Sequence, residues 1–464
     1  MVKTLFVQPA HTYIPPEGEG HIYTPSSLWA AGAKLIEAGA DIAFADENLR
    51  PVDTQHADVL GINLVGPPYI PLVRRRFQSV LDGEQQCIIG GQVVTGLSRN
   101  QFIQLFGAKA IHGSYYSLVA NMVGANFENM KDDEHTSLIS AYQRIPDEDM
   151  RKYLDPEREI SFYLGQGCVF DCMFCGAEKK RNETYRDPTI IEKDLTYLTE
   201  RALKFDIHQL SMYLSNLDVF QNIEPLKEFA SIVNILKRKN PGFSYHMRGL
   251  ATATMLQNAV RDAPKVVQSL RDAGFHTVGI GVDGGDERIW RSVKKGHNNE
   301  HVILESMEGA KAYGITPEAI MVFGHPEETR ESLENAVHLT EQLQETFNAV
   351  PRPHVAKDLI PGNDYWKNEI ENATAEERND RAKRIQFLLE QPRYFQALDF
   401  KALASSVTHS NEILRHMVNE YYRRITNMCQ NEFDRNALIY PIAPEFSEEI
   451  NALHEYWNRG KYDR

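Results

Sequence analysis

Three of the five cysteines in this chain stand within eight residues, in the run Gly165-Gln166-Gly167-Cys168-Val169-Phe170-Asp171-Cys172-Met173-Phe174-Cys175-Gly176. The spacing is C-x3-C-x2-C. Three thiolates on one short loop can hold three irons of a [4Fe–4S] cube, where an ordinary cluster site uses four. The remaining iron is then open to a ligand that is not protein. The same residues admit a zinc loop or a structural thiol cluster. Zinc sites usually draw on a second Cys or His pair, but the nearest histidine after the loop is His208, and Cys87 and Cys429 lie far away in the sequence. The lead-in Ile160-Ser161-Phe162-Tyr163-Leu164-Gly165 reads as an apolar strand running into the loop, so the thiols are expected at a strand's C-terminal end.

The chain has 464 residues, enough for two or three domains. No apolar run reaches the length of a membrane span, and nothing at the start reads as a signal peptide, since Val2-Lys3-Thr4-Leu5-Phe6-Val7 has a strand's pattern. Three cysteines in one loop argue against a disulfide framework and for a reducing compartment, the cytoplasm. A formal net charge of −14 speaks against a nucleic-acid surface, which would be basic. Arg74-Arg75-Arg76 and Lys179-Lys180-Arg181 read as solvated faces, although the second follows the cysteine loop closely enough to line a site.

Over residues 1–130, strands alternate with helices. Thr4 to Gln8 is a strand, followed by a loop with Pro15, Pro16, Gly18 and Gly20. A helix begins near Thr24-Pro25-Ser26-Ser27 and stops before Gly39. Strands follow at Asp41 to Ala45, at Val59 to Asn63 and at Gln86 to Ile89, with a helix from about Ile70 to Leu81 between the last two. A final helix and strand close near Ala110-Ile111-His112-Gly113. This alternation implies a parallel, doubly wound α/β sheet. Ligands of such sheets bind at the carboxyl ends of the strands, where this chain has Asn63, Val65-Gly66, Gly90-Gly91-Gln92 and His112-Gly113.

The cysteine loop resembles the signature of radical S-adenosylmethionine (SAM) enzymes, and the region before it resembles the cobalamin-binding domain of one large subfamily of them. The resemblance implies a Rossmann-like domain over 1–130, a linker over 131–158, a partial (β/α)6 TIM-barrel core over 159–362 and a helical C-terminal region over 363–464. In the family, Cys168, Cys172 and Cys175 would hold the [4Fe–4S] cluster, and SAM would chelate the open iron. Phe174 matches the aromatic that contacts adenine. Asn216 ends the second core strand, Gln209 to Asn216, and would face the SAM amino group. The related enzymes often carry paired acids there, whereas this chain has Ser215, Asn216 and Asp218. Arg248, taken as the end of the third strand Phe243 to Arg248, suits the SAM carboxylate. Asp283 replaces the usual Glu-Ser after the fourth strand, Thr277 to Asp283. Gly324 lies in Gly324-His325-Pro326-Glu327-Glu328-Thr329, which resembles the family's turn after the fifth strand. The sixth strand is read at His354 to Ile360. Ile289 to His297 resembles the helix after the fourth strand.

For cobalamin, the resemblance implicates Asn63, Val65, Gly66, Gly90, Gly91, Gln92, His112 and Gly113, because a flat macrocycle and a buried tail need close backbone approach. The Asp-x-His-x-x-Gly motif that supplies histidine to cobalt in cobalamin-dependent mutases is absent, and His11 reads as a polar loop residue. The alternative is a fold retained without cofactor, as a lid or docking surface. The implied activity is methyl transfer to an unactivated carbon, with one SAM methylating the corrin and a second cleaved to a 5′-deoxyadenosyl radical. Radical oxidation, rearrangement or cyclisation without methyl transfer is the second reading, and a non-catalytic iron–sulfur protein the third. The partners implied are a small-molecule or peptide substrate and an electron donor such as flavodoxin or ferredoxin. The residues after Tyr365 have helical composition and read as a cap with its own core, or as a segment that closes over substrate.

Overall fold

In the computed structural model, the structure describes residues 2–9, 24–64, 70, 73–74, 77–83, 85–177, 183–323, 325, 327–355, 362–364 and 367. Val65, Gly66 and Gly324, the basic run at Lys179, and almost all of the C-terminal region therefore lie outside the described residues.

The first sheet consists of β1 (Lys3–Gln8), β2 (Asp41–Asp46), β3 (Val59–Asn63), β4 (Gln86–Gly90) and β5 (Ile111–His112), in the order β2-β1-β3-β4-β5. Every pair in it is parallel. β3 is buried at all positions, as a central parallel strand covered on both faces must be. The connecting helices are α1 (Ser26–Glu37), α2 (Gln78–Asp82), α3 (Gln92–Thr95), α4 (Arg99–Phe106) and α5 (Tyr116–Val123). α4 carries a reciprocal capping box between Ser98 and Gln101. The order reverses between β1 and β3, and a crevice at the strands' carboxyl ends follows from that reversal.

The segment expected as a linker is structured. It folds into α6 (Ile139–Tyr142) and α7 (Asp147–Tyr153), which are packed into the core through Leu138, Tyr142, Met150 and Tyr153. Trp29 of α1 meets Tyr142 and Tyr153 edge-on, at 5.7 and 5.0 Å between ring centroids. Tyr153 Oη donates to Asp46 at 2.6 Å, and Arg50 donates to Asp149 at 2.8 Å. On the other side, the buried Arg186–Asp194 pair ties this segment to the barrel, since Asp194 also accepts from Leu138 N–H at 3.1 Å and Arg186 donates to Thr136 O at 3.1 Å.

The second sheet holds six parallel strands in the order β13-β12-β11-β10-β9-β6, an open partial barrel. They are β6 (Ile160–Phe162), β9 (Gln209–Leu214), β10 (Ser244–Thr252), β11 (Phe275–Gly281), β12 (Thr316–Phe323) and β13 (Val350–Val355). Helices α8 (Pro188–Lys204), α9 (Ile223–Lys239), α10 (Ala253–Asp262), α11 (Pro264–Ala273), α12 (Glu287–Ser292), α13 (Glu300–Ala312) and α14 (Arg330–Phe347) follow the strands in turn. Most begin on a side-chain cap: Asp187, Asn222, Thr252, Asp286, Asn299 and Thr329 each accept from a backbone N–H of the first turn. A short antiparallel pair, β7 (Gly165–Gln166) with β8 (Thr184–Tyr185), closes the base of the cysteine loop.

Two strands differ most from the sequence reading. β10 runs four residues beyond Arg248, to Thr252, because Gly249 to Thr252 continue its alternation and the arginine's charge is met inside the barrel. β13 begins at Val350 rather than His354. Pro351 and Pro353 in Val350–Val355 obscured it, and an edge strand tolerates proline.

Candidate active site

The cysteine loop projects from the carboxyl end of β6, at the barrel's mouth. All three thiols are free and partly exposed. Among the described residues, no three His, Cys, Asp or Glu side chains sit close enough to share one metal ion. A cube takes each thiolate on a different iron, so it does not call for three ligands on one ion. Cys175 N–H donates to Cys172 O at 3.1 Å, and Ala177 N–H donates to Cys175 Sγ at 3.4 Å. Burial pushes the Cys172 thiol up to about 12 and raises Cys168 as well. A bound metal would reverse this, since a coordinating thiol is deprotonated outright. The loop's donor set, three free and partly exposed thiols on one short loop, fits a cluster held on three thiolates.

The aromatic before the third cysteine sits where the barrel can use it. Phe174 and Met173 pack on Val322 of β12, and the Phe174 ring lies 5.4 Å from that of His325. Burial drives His325 down to about 3, so its imidazole is neutral. Its ring nitrogen bonds Val322 O at 3.1 Å. Asn363 Nδ2 donates to Phe174 O at 3.3 Å.

The other residues expected at SAM fare differently. Asn216 is buried after β9, and its Oδ1 accepts from Leu164 N–H at 2.8 Å, fixing the lead-in to the loop. Asp283, just past β11, is at the mouth, but its carboxylate is paired with Lys295 and only 3% of the residue is exposed. Its backbone has φ 50°, a left-handed conformation that aspartate tolerates better than most residues. Asp218 is also buried. It accepts from Phe220 N–H at 2.9 Å and from the Thr252 backbone and hydroxyl at 2.9 and 2.8 Å, and burial lifts it to about 6.

Arg248 is a correction. It does not stand at a strand end. It lies inside the barrel, four residues before Thr252, which is ~13 Å of strand. Its Nε reaches both Glu159 oxygens at 2.6 and 2.7 Å, its guanidinium lies 4.7 Å over the Tyr213 ring, and Glu318 is 4.0 Å away. A half-buried charge in mid-barrel and a charge at a strand's end look alike in sequence, because the partner Glu159 is 89 residues away.

Sequence reasoning passed over residues 293–298. Lys295 and His297 fall in the Ile289–His297 stretch that resembles a helix, and Asn298 lies just beyond it. The structure ends α12 at Ser292 and lays the following segment against the cysteine loop. Asn298 Nδ2 donates to Gly281 O and Val282 O at 3.0 and 3.1 Å. The signal available was Lys294-Lys295-Gly296-His297, two cations before a glycine and an aromatic, directly after a strand–helix unit.

In the first domain, Asn63, Gly90, Gly91, His112 and Gly113 come together at the carboxyl ends of β3, β4 and β5, with Asn63 in register with Gly90 and Ile89 with His112. Gln92 opens α3. Their freedom is uneven. Asn63 Nδ2 donates to Gln8 at 2.8 Å. His112 has both ring nitrogens engaged, with Val94 O at 2.8 Å and Ser114 Oγ at 2.7 Å. Gly91 has φ 109°, and a Cβ there would meet Leu64 O at 2.3 Å, so the fold itself requires this glycine. Gly90 is otherwise: a Cβ would find only Gly113 Cα, at 3.9 Å. Gly90 is thus bare backbone that packing does not demand, at the edge where a flat ligand would lie.

Comparison with known proteins agrees with this geometry. Residues 162–340 match the Radical SAM superfamily profile. An uncharacterized methyltransferase of Pyrococcus horikoshii is 22% identical over 45% of this chain and 41% of its own length. A hopanoid C-2 methylase of Rhodopseudomonas palustris is 23% identical over 40% of this chain and 33% of its own. The chain spans less than half the length of these curated relatives. Among solved structures, the radical SAM methyltransferase TsrM of Kitasatospora setae, with cobalamin and a [4Fe–4S] cluster bound, superposes with a TM-score of 0.61 at 11% identity, covering 92% of this chain and 99% of that one. The cobalamin-dependent radical SAM enzyme OxsB, with aqua-cobalamin and SAM bound, gives 0.54 at 13% identity over 91% and 61%. These likenesses show a shared fold across both sheets. A partial barrel with a three-thiol loop at its mouth, matched over 162–340, identifies those residues as a radical SAM domain.

Proposed function

We propose that the chain is a cobalamin-dependent radical SAM enzyme that transfers a methyl group to an unactivated carbon. One observation carries the reading: a β2-β1-β3-β4-β5 parallel sheet with a glycine-bared carboxyl edge precedes, in one chain, a six-stranded barrel with three thiols at its mouth. The superposition of both sheets on TsrM supports it.

Cys168, Cys172 and Cys175 would hold the cluster, with Phe174 beside SAM on a platform of Val322 and His325. Asn216 and Asp283 shape the mouth rather than offering free groups to SAM. When bound, the cluster supplies the electron that cleaves SAM, and a corrin would supply methyl transfer. The Gly90–Gly113 edge is the part of the first domain that fits a macrocycle. His112, already bonded through both nitrogens, is not offered to cobalt. A small-molecule or peptide substrate and an external electron donor complete the reading. No helix of the described residues is long and apolar enough to cross a membrane.

The test is anaerobic reconstitution with iron, sulfide and hydroxocobalamin, followed by incubation with SAM and a reductant. Retained corrin, with both 5′-deoxyadenosine and S-adenosylhomocysteine formed, supports the assignment. 5′-Deoxyadenosine alone replaces methyl transfer with another radical outcome. Neither product, from protein carrying a full cluster, overturns the enzyme reading.

A further inference from the structure

The cysteine loop is held from one side by residues 293–298. Met173 N–H donates to Val293 O at 3.2 Å. Lys294 Nζ bonds Asp171 at 3.1 Å and Asp364 at 2.6 Å. The Phe170 ring stacks on His297, with centroids 4.1 Å apart and planes 28° from parallel. These contacts fall on both sides of Cys172 along the loop.

The two lysines at this contact diverge. Lys294 has φ 59°, in the left-handed region, and its side chain is 47% exposed. Lys295 turns inward, its side chain 5% exposed, to pair with Asp283 and to donate to Gly281 O at 3.3 Å. The glycine at 281 is needed for this: a Cβ would lie 2.7 Å from Lys295 Nζ and 2.9 Å from Asp283 Oδ2. A buried lysine–aspartate pair is poor stabilisation, because two apolar side chains of like volume often serve as well or better. The pair therefore calls for another reason, and its place offers one. Lys295 stands between Lys294, which bonds Asp171, and His297, which stacks on Phe170, while Val293 O accepts from Met173 N–H, so the segment that carries it meets the loop on both sides of Cys172.

We propose that Lys295 sets the reduction potential of the centre bound by the loop, its ammonium locked against the Cys172 side of the site by Asp283 and Gly281. Reduction adds one electron, and so one negative charge, to an already anionic cluster. A fixed cation nearby favours that form. Asp283 both holds the cation and tempers it. The proposal rests on the three thiolates binding a cluster, as argued above.

The experiment compares the reconstituted full chain with Lys295→Met, Lys295→Arg and Asp283→Asn. Iron and sulfide content and the visible cluster absorption are recorded first. Each protein is then titrated with dithionite without SAM, and the reduced cluster is followed by electron paramagnetic resonance. One elementary charge up to about 10 Å away at an effective dielectric of about 20 changes an equilibrium roughly tenfold or somewhat more, and tenfold in a one-electron couple is about 59 mV. Lys295→Met should lower the potential by about that much, Asp283→Asn should raise it, and Lys295→Arg should stay near the parent. A uniform potential across the set, or a shift of the same sign in Lys295→Met and Asp283→Asn, overturns the proposal. If Lys295→Met takes up no iron, Asp283→Asn decides: no upward shift there overturns it equally. Parent protein that takes up no cluster overturns the underlying reading, and does so before any potential is measured.

Discussion

Arg248→Ala should cost stability and leave SAM affinity alone. The arginine's Nε donates to both oxygens of Glu159 at 2.6 and 2.7 Å, and its guanidinium covers Tyr213 at 4.7 Å. Charge-assisted hydrogen bonds are worth about 1.5–3 kcal/mol, and a cation over an aromatic face adds roughly 0.5–1 kcal/mol. The two side chains are 36% and 31% exposed, so water recovers part of this, and the expected loss is about 2 kcal/mol. Glu318 keeps a partner in Arg352 at 2.9 Å, whereas Glu159 loses its forked one. Urea unfolding at matched iron content should show a lower midpoint with an unchanged slope. Titration calorimetry should show SAM binding within about twofold of the parent, since a loss of only ~0.4 kcal/mol corresponds to that factor. Glu159→Gln should reproduce the destabilisation, and the double variant should be less destabilised than the sum of the singles, because both remove one contact. A tenfold loss of SAM affinity with unfolding unchanged would refute the argument and return Arg248 to the ligand.

Four further outcomes are expected. Alanine at Cys168, Cys172 or Cys175 should abolish the reconstituted cluster spectrum, while Cys87→Ala should keep it, because Cys87 is buried in β4 with its thiol pushed up to about 12 by burial. Gly91→Val should lower thermal stability by more than about 1 kcal/mol through strain, since its Cβ would strike Leu64 O. Gly90→Ala should fold normally and reduce corrin retention, and full retention would remove that edge as the corrin site. Asp46 is raised to about 6, chiefly by burial, so between about pH 4, its unfolded value, and pH 6 the folded chain binds more protons than the unfolded one. The parent therefore loses stability from this group as pH rises through that window. Asp46→Asn should show no advantage below about pH 4 and a growing one up to about pH 6, and a pH-independent difference in urea midpoint would exclude the assignment.

Much of the architecture was open to reading because it is written in local chemistry. β3 and β4 are built on the short apolar stretches Val59-Leu60-Gly61-Ile62 and Cys87-Ile88-Ile89, each followed by polar or glycine residues. Thr329 and Ser332 announce the start of α14. The thiols are legible because the cluster's ligands are neighbours in sequence, in a loop that needs no distant residue to be recognised.

What could not be read was the partner of each charge. Arg248 invites a ligand until Glu159 is seen beside it. Asp283 looks available until Lys295 closes on it. Gly90 and Gly91 are adjacent and alike in sequence, yet only Gly91 is pressed against Leu64. The amino-acid sequence by itself determined that there would be two parallel sheets and a three-thiol loop, since apolar periodicity and cysteine spacing act over a few residues. Only the tertiary structure decided which polar groups are spent on the protein and which are left for a cofactor, because a buried charge is satisfied through space by whatever residue the fold brings within hydrogen-bonding distance.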